Sequence, residues 1–251
     1  MSIAAPAPTV PPVIAHRGAS ASAPENTLAA MRQAAALGAR WVELDVKLTA
    51  DERAVVFHDD TLDRTTDGTG RMADTPLVGL ADLDAGGWFD PDFSGELVPT
   101  LEETLDLLID LGLGANLEIK PCAGRDEKTA AVALDVARAM WPLSAPPLLV
   151  SSFSRPALRV ARDLVPQWPR GLLLGGLTDD WQREAEDAQA WSVHTDAALI
   201  RAQDVADVLD AGYRVMVYTV NDPGRATNLW DWGVGSIITD RPEVLLPLAG
   251  G

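Results

Sequence analysis

The chain has 251 residues, 47% of them hydrophobic, enough for one barrel-sized domain with a substantial core. Its 20 Lys and Arg against 37 Asp and Glu give a net charge of −17, which speaks against nucleic acid or a polybasic membrane contact as partner, because such surfaces are held by clustered cations. A single cysteine, Cys122, excludes an internal disulfide and fits a reducing compartment, and no apolar run approaches the length of a membrane span.

The N-terminal "MSIAAPAPTVPP" has no Lys or Arg ahead of its apolar residues, and its prolines break any helical run, so it is not expected to be a signal peptide. Residues 1–11 are expected to form a flexible Pro-rich arm. A cytoplasmic protein without a membrane anchor follows as the expectation.

Beyond the arm, β-rich runs alternate with helix-length amphipathic segments. Strands are predicted at 13–16, 41–48, 116–120, 148–153, 170–174, 191–195, 214–220 and 236–240. Helices are predicted at 26–38, 100–111, 127–140, 155–164, 180–190, 199–210, 223–232 and 241–248. Leu37-Gly38 closes the first helix, and Thr100 with Glu103 forms a capping box on the second. The alternation predicts an α/β fold, a TIM (β/α)₈ barrel spanning 1–251 as one domain, with a doubly wound sheet as the alternative. Between about 52 and 99 the alternation breaks. "AVVFHDD" is expected to return as a hairpin, and residues 59–98, rich in Asp, Gly and Thr, are expected to form an inserted loop subdomain over one mouth of the barrel, with "DAGGWF" compactly packed.

In such a barrel the chemistry lies at the C-terminal strand ends. Those ends carry His16 and Arg17, Glu43 and Asp45, Glu118 and Lys120, Ser151 to Phe153, His194, Tyr218 with Asn221, and Asp240. Glu43 and Asp45 are two apart on a strand and share a face; with Glu118 they offer three hard oxygen ligands, suited to Mg²⁺ or Ca²⁺. The competing assignments are salt bridges of Glu43 and Asp45 to Arg40 or Lys47, and a simple Glu118–Lys120 ion pair. His16 and His58 both end apolar runs and are candidates for general acid and base; His194 is a candidate pocket or supporting residue. A divalent cation, Arg17 and Lys120 would supply positive charge for phosphate oxygens, and two imidazoles would serve displacement at phosphorus. The implied chemistry is hydrolysis of a phosphate ester.

The runs "AHRGASASAPENTLAA", "ELDVKLTAD", "VVFHDDTLDRTTDGTG", "PTLEETL", "LEIKP", "YTVN" and "IITDRP" resemble, in order, the motifs of the glycerophosphodiester phosphodiesterase family, and "PRGLLL", "DDW" and "VYTVN" resemble its cytosolic bacterial members. The resemblance implies a TIM barrel with a small insertion after the second strand. It also implies one divalent cation (Mg²⁺ or Ca²⁺, with Mn²⁺ possible) held by Glu43, Asp45 and Glu118. By the same likeness His16 and His58 form the acid/base pair, Arg17 and Lys120 face the phosphate, and Tyr218, where relatives often carry Trp, lines the substrate. Glu25 and Asn26 of "PENT" become site-supporting residues, although Asn26 equally fits a helix N-cap. One departure is Gly235, where relatives carry an acidic residue, and it bears on local packing.

The expected reaction is metal-dependent hydrolysis of glycerophosphodiesters to sn-glycerol 3-phosphate and an alcohol. A phosphodiesterase of lysophospholipids, or a barrel that binds without hydrolysing, is the rival. Head group, oligomeric state and the division of labour between the histidines stay open.

Overall fold

The computed structural model describes residues 9–142 and 148–249. The first elements are β1 (Val13–His16), α1 (Leu28–Ala36), β2 (Trp41–Leu48) and a short β3 (Ala54–Val56). Then come 3-10 turns at Met72–Asp74 and Pro91–Phe93, with a short helix α2 (Leu77–Leu80) between them. Alternation resumes with α3 (Leu101–Leu111), β4 (Gly114–Ile119), α4 (Asp126–Met140), β5 (Leu148–Ser152), α5 (Arg155–Leu164) and β6 (Arg170–Leu174). It continues with α6 (Trp181–Ala188), β7 (Ser192–Asp196), α7 (Ala202–Asp210), β8 (Arg214–Tyr218), α8 (Pro223–Asp231), β9 (Ser236–Thr239) and α9 (Pro242–Leu245).

All strands except β3 pair in parallel, in the order β1-β9-β8-β7-β6-β5-β4-β2, and β1 pairs with β2 to close the ring. This is the TIM (β/α)₈ barrel, not the doubly wound sheet. β3 runs antiparallel to the end of β2, Val46 against Val56. Period-two alternation sorts each strand: Val42, Leu44, Val46 and Leu48 face outward into the layer shared with Met31, Leu101, Leu105 and Leu134 of the helices. Trp41 faces inward with Ile14, Leu149, Met216 and Ile238 and plugs the barrel floor. Glu43, Asp45 and Lys47, on the inward register of the same strand, stack above that plug.

Three boundaries differ from the sequence reading for identifiable reasons. β4 begins at Gly114 because Gly114 and Ala115 pair with Trp41 and Val42. α1 starts later than 26 because Asn26 has φ 59, outside the helical region, and Thr27 is the N-cap, its hydroxyl accepting from Ala30 N. The end of the expected arm is pinned: Val10 packs on the floor cluster, and the Pro11 and Pro12 carbonyls accept from Ser236 Oγ and Ile237 N. Residues 1–8 of that arm lie outside the described residues.

The stretch 59–98 folds back on itself, with Leu62 N donating to Gly70 O and Met72 N to Asp60 O. Phe57, Leu62, Met72, Leu80, Ala85 and Val98 form a small core of their own with Val55 and Cys122. In "DAGGWF", Asp84 accepts from the Gly86 and Gly87 amides and Trp88 meets Phe89 edge to face. Gly235 packs without strain: its amide donates to Val215 O, and an added Cβ would sit 3.5 Å from that oxygen. Among the described residues, no helix is long and apolar enough to cross a membrane.

Candidate active site

β2 and β4 run in register, Asp45 opposite Glu118, so their inward carboxylates meet at the C-terminal mouth. Glu43, Asp45 and Glu118 each offer an oxygen within 4.8 Å of the others, and all three are buried. Burial, then the charges of Asp45 and Glu118, push Glu43 well above the usual carboxylate range. Burial and the Asp45 charge push Glu118 up to about 7. For Asp45 burial also opposes ionisation, but the Arg17 guanidinium and Lys120 outweigh it and hold the carboxyl at about 2.

Lys47 Nζ turns away to Asp60 Oδ1 at 2.7 Å, so it does not neutralise Glu43 or Asp45. The Glu118–Lys120 pair exists, at 2.9 Å, but Lys120 Nζ also lies 3.4 Å from Asp45 Oδ1 and belongs to the cluster. Among the described residues, Glu43 Oε1 is buried without a hydrogen-bond partner, which is the condition expected of an oxygen meant for a cation. Three hard carboxylates, one of them unsatisfied, fit Mg²⁺ or Ca²⁺ better than a soft metal.

Each candidate histidine is held through Nδ1 by a carboxylate. His16 Nδ1 lies 2.6 Å from Asp240 Oδ1, and Asp240 is itself held by Ser20 Oγ at 2.9 Å and Asn221 Nδ2 at 2.7 Å. His58 Nδ1 lies 2.6 Å from Asp59 Oδ1. A carboxylate accepts from Nδ1–H, so both rings present Nε2 as the free nitrogen. His16 Nε2 is 3.9 Å from Glu43 Oε2. Burial lowers the His58 pKa, partly offset by Asp45.

Arg17 leaves β1 in the left-handed region, φ 53, which brings its amide onto Glu43 Oε2 at 3.1 Å. Its Nη1 donates to Glu25 Oε1 at 2.6 Å, and Nε passes 3.2 Å from Asp45 Oδ2 at an angle too oblique for a hydrogen bond. Asn26 Nδ2 donates to Asp45 Oδ2 at 2.9 Å, so the "PENT" turn braces the carboxylate cluster directly. Tyr218 gives its hydroxyl to Leu174 O and offers its ring, edge to face with the half-exposed Phe153; Lys120 Nζ lies 5.8 Å from the Phe153 centroid. A cleft of 470 Å³ beside His58, Asp59 and Lys120 and one of 360 Å³ beside Glu118, Lys120 and Phe153 share Lys120 and Pro121 as common wall.

His194 is elsewhere. It is fully buried inside the barrel, its ring filling the space left by Gly171 and its Nε2 paired with Ser192 Oγ at 2.8 Å. Burial drops its pKa to about 3, so it stays neutral. Three residues that the sequence did not single out for a role, Asp59, Arg64 and Asp240, turn out to hold the candidate site residues. Asp240 was visible as a strand-end carboxylate; Asp59 stood beside His58 in "HDD".

The sequence model of the glycerophosphoryl diester phosphodiesterase family matches residues 16–244. A glycerophosphodiester phosphodiesterase of Caldanaerobacter subterraneus subsp. tengcongensis is 37% identical over 242 residues, covering 94% of this chain and 96% of the relative. One from Bacillus subtilis is 33% identical over 250 residues, covering 92% and 84%. Among solved structures, a phosphodiesterase of Oleispira antarctica in complex with the product sn-glycerol-3-phosphate superposes with a TM-score of 0.94 at 40% identity, covering 96% of this chain and 98% of the other.

Proposed function

Because the chain belongs to the glycerophosphoryl diester phosphodiesterase family, we propose that it hydrolyses glycerophosphodiesters to sn-glycerol 3-phosphate and an alcohol, with a divalent cation and with His16 and His58 as general acid and base. The proposed substrate is a small soluble diester met in the cytoplasm. The observation that carries this reading is the convergence, at one barrel mouth, of three buried carboxylates, two cationic side chains and two carboxylate-held imidazoles.

Glu43, Asp45 and Glu118 would hold Mg²⁺, Ca²⁺ or Mn²⁺, which when bound supplies positive charge to the phosphate oxygens and relieves repulsion among the carboxylates. Arg17 and Lys120 bind those oxygens from the protein side, the guanidinium through its fork and the ammonium as a point charge. One imidazole Nε2 takes the proton of the attacking oxygen, and the other gives a proton to the departing alkoxide. Asp240 and Asp59 fix the tautomers and stabilise whichever ring is protonated. Tyr218 and Phe153 present aromatic surface to the substrate's carbon skeleton and narrow the path for water.

The test is release of glycerol 3-phosphate from glycerophosphocholine by EDTA-stripped protein, with Mg²⁺, Ca²⁺ or Mn²⁺ restored separately and lysophosphatidylcholine as the comparison substrate. Release that returns with a divalent ion is expected. In His16→Ala and His58→Ala, kcat should fall by about 10²–10⁴-fold while the protein still folds cooperatively, the melt lowered only by the lost pairing with Asp240 or Asp59. Full activity in both variants would remove the acid/base assignment.

A further inference from the structure

We propose that Arg64, on the turn of the inserted segment, is a positioning residue that locks His58 and Arg17 into one arrangement by gripping the two carboxylates that hold them. The proposal rests on the site assigned above and goes beyond it, because it gives the insertion a task in the reaction.

The geometry is a chain of charged hydrogen bonds. Arg64 Nε donates to Asp59 Oδ2 at 2.6 Å and Nη2 to Asp59 Oδ1 at 2.9 Å. Nη1 donates to Glu25 Oε2 at 2.7 Å and Nη2 also to Glu25 Oε1 at 2.7 Å. Asp59 Oδ1 is the atom that holds His58 Nδ1, and Glu25 Oε1 is the atom that holds Arg17 Nη1. Arg17 in turn lies against Asp45. One guanidinium therefore stands at the centre of a path from the acid/base imidazole, through two carboxylates, to the phosphate-facing guanidinium and a metal-site carboxylate.

Two features make this more than a surface ion pair. First, among the described residues every hydrogen bond of the Arg64 side chain goes to one of these two carboxylates, bidentate on each, which uses the planar fork of arginine in a way that lysine cannot reproduce. Second, Asp59 and Glu25 come from segments far apart in sequence, the strand return after β3 and the "PENT" turn, and their like charges would push them apart without a cation between them. Arg64 sits in the folded-back segment fixed by the Leu62–Gly70 and Met72–Asp60 hydrogen bonds, so the insertion delivers it from outside the barrel. Its side chain is 45% exposed, which makes it removable without opening the core.

The experiment compares Glu25→Gln, Asp59→Asn, Arg64→Lys and Arg64→Ala by steady-state kinetics on glycerophosphocholine, alongside thermal melts. Asp59→Asn should act mainly on kcat and Glu25→Gln mainly on KM. Arg64→Ala should reproduce both, with kcat/KM down by about 100-fold, the scale of a misplaced reacting group, and melting temperature close to wild type. Arg64→Lys should recover little, and free guanidinium at concentrations that leave the melt unchanged should restore part of the rate of Arg64→Ala. The Glu25→Gln and Asp59→Asn effects should be non-additive with Arg64 present and additive in its absence. Wild-type kcat and KM in Arg64→Ala, or a loss matched by Arg64→Lys rescue and a lowered melt, would overturn the proposal while leaving the phosphodiesterase reading intact. If the wild-type protein itself releases no glycerol 3-phosphate, that reading fails, and ¹⁵N NMR of the His58 ring decides the clamp alone. A shift from the Nδ1–H tautomer to a mixture in Arg64→Ala supports it, and an unchanged ring overturns it.

Discussion

At the scale of single residues, a carboxylate behind a histidine does two separable things. It selects the tautomer, and it stores stability that depends on pH. Asp240 does both for His16. Burial opposes its ionisation, but the hydrogen bond and charge of His16, with Asn221 and Ser20, outweigh that and hold the carboxyl well below its usual range. A folded-state pKa below the unfolded value contributes stability that is complete above about pH 4 and fades as pH falls toward the folded value. Asp240→Asn should therefore melt below wild type at pH 7, with the gap closing toward pH 3, and its kcat should fall by roughly 10²-fold or more because the ring loses its fixed tautomer. A melting series from pH 7 to 3 beside the kinetics separates the two roles. Glu43, Asp45 and Glu118 could be read from the sequence because period-two alternation and strand-end position are local properties. Arg64 could not, since nothing in "DRTTDGTG" says which distant carboxylates its side chain will reach.

At the scale of elements, the turn after β1 shows how the backbone positions the site. Gly18 has φ 80, and a Cβ there would lie 2.6 Å from the backbone carbon of Ala30 in α1. The chain passes so close to the helix that residue 18 has no room for a Cβ, and Arg17 and Gly18 both take left-handed conformations, which accompany the turn of the Arg17 amide onto Glu43. Gly38, just past α1, also has positive φ, 90, but an added Cβ there meets nothing within 4 Å among the described residues. Gly18→Ala should cost about 3 kcal/mol or more, combining backbone strain with a clash that neither backbone can relieve, and should lower activity through Arg17. Gly38→Ala should cost only about 1–2 kcal/mol, the strain alone. Urea titrations of the two variants test the difference, and equal costs would mean that the turn yields. The same contrast explains which elements were legible. β1, β2 and β6 carry continuous apolar or alternating patterns between clear breakers and fall where the pattern puts them. The short α2 and the 3-10 turns of the insertion depend on burying Leu62, Met72 and Leu80 against Phe57, a core assembled from across the segment rather than from any local period.

At the scale of the whole molecule, an acidic protein of net charge −17 gathers three of its carboxylates at the mouth of its barrel, an arrangement that Arg17 and Lys120 offset only in part and that is costly without a metal ion. Glu43 bears most of that cost: fully buried, it faces Asp45 and Glu118, and one of its oxygens has no hydrogen-bond partner among the described residues. Its folded-state pKa is raised, so its contribution to stability is lost as pH rises from the unfolded value, near 4.3, through the folded one. Glu43→Gln keeps the shape and an acceptor for the Arg17 amide while removing the charge. In metal-free buffer at pH 8 this variant should be more stable than wild type and melt at a higher temperature. Added Mg²⁺ or Ca²⁺ should reverse the order, because wild type gains the binding free energy of an ion held only by the folded state, while the variant has lost a ligand. Activity should be abolished in the variant throughout. The crossing of the two melting temperatures as the cation is titrated is the decisive feature. If Glu43→Gln melts lower than wild type even without metal, the carboxylates satisfy one another without an ion and the site is not built around a cation.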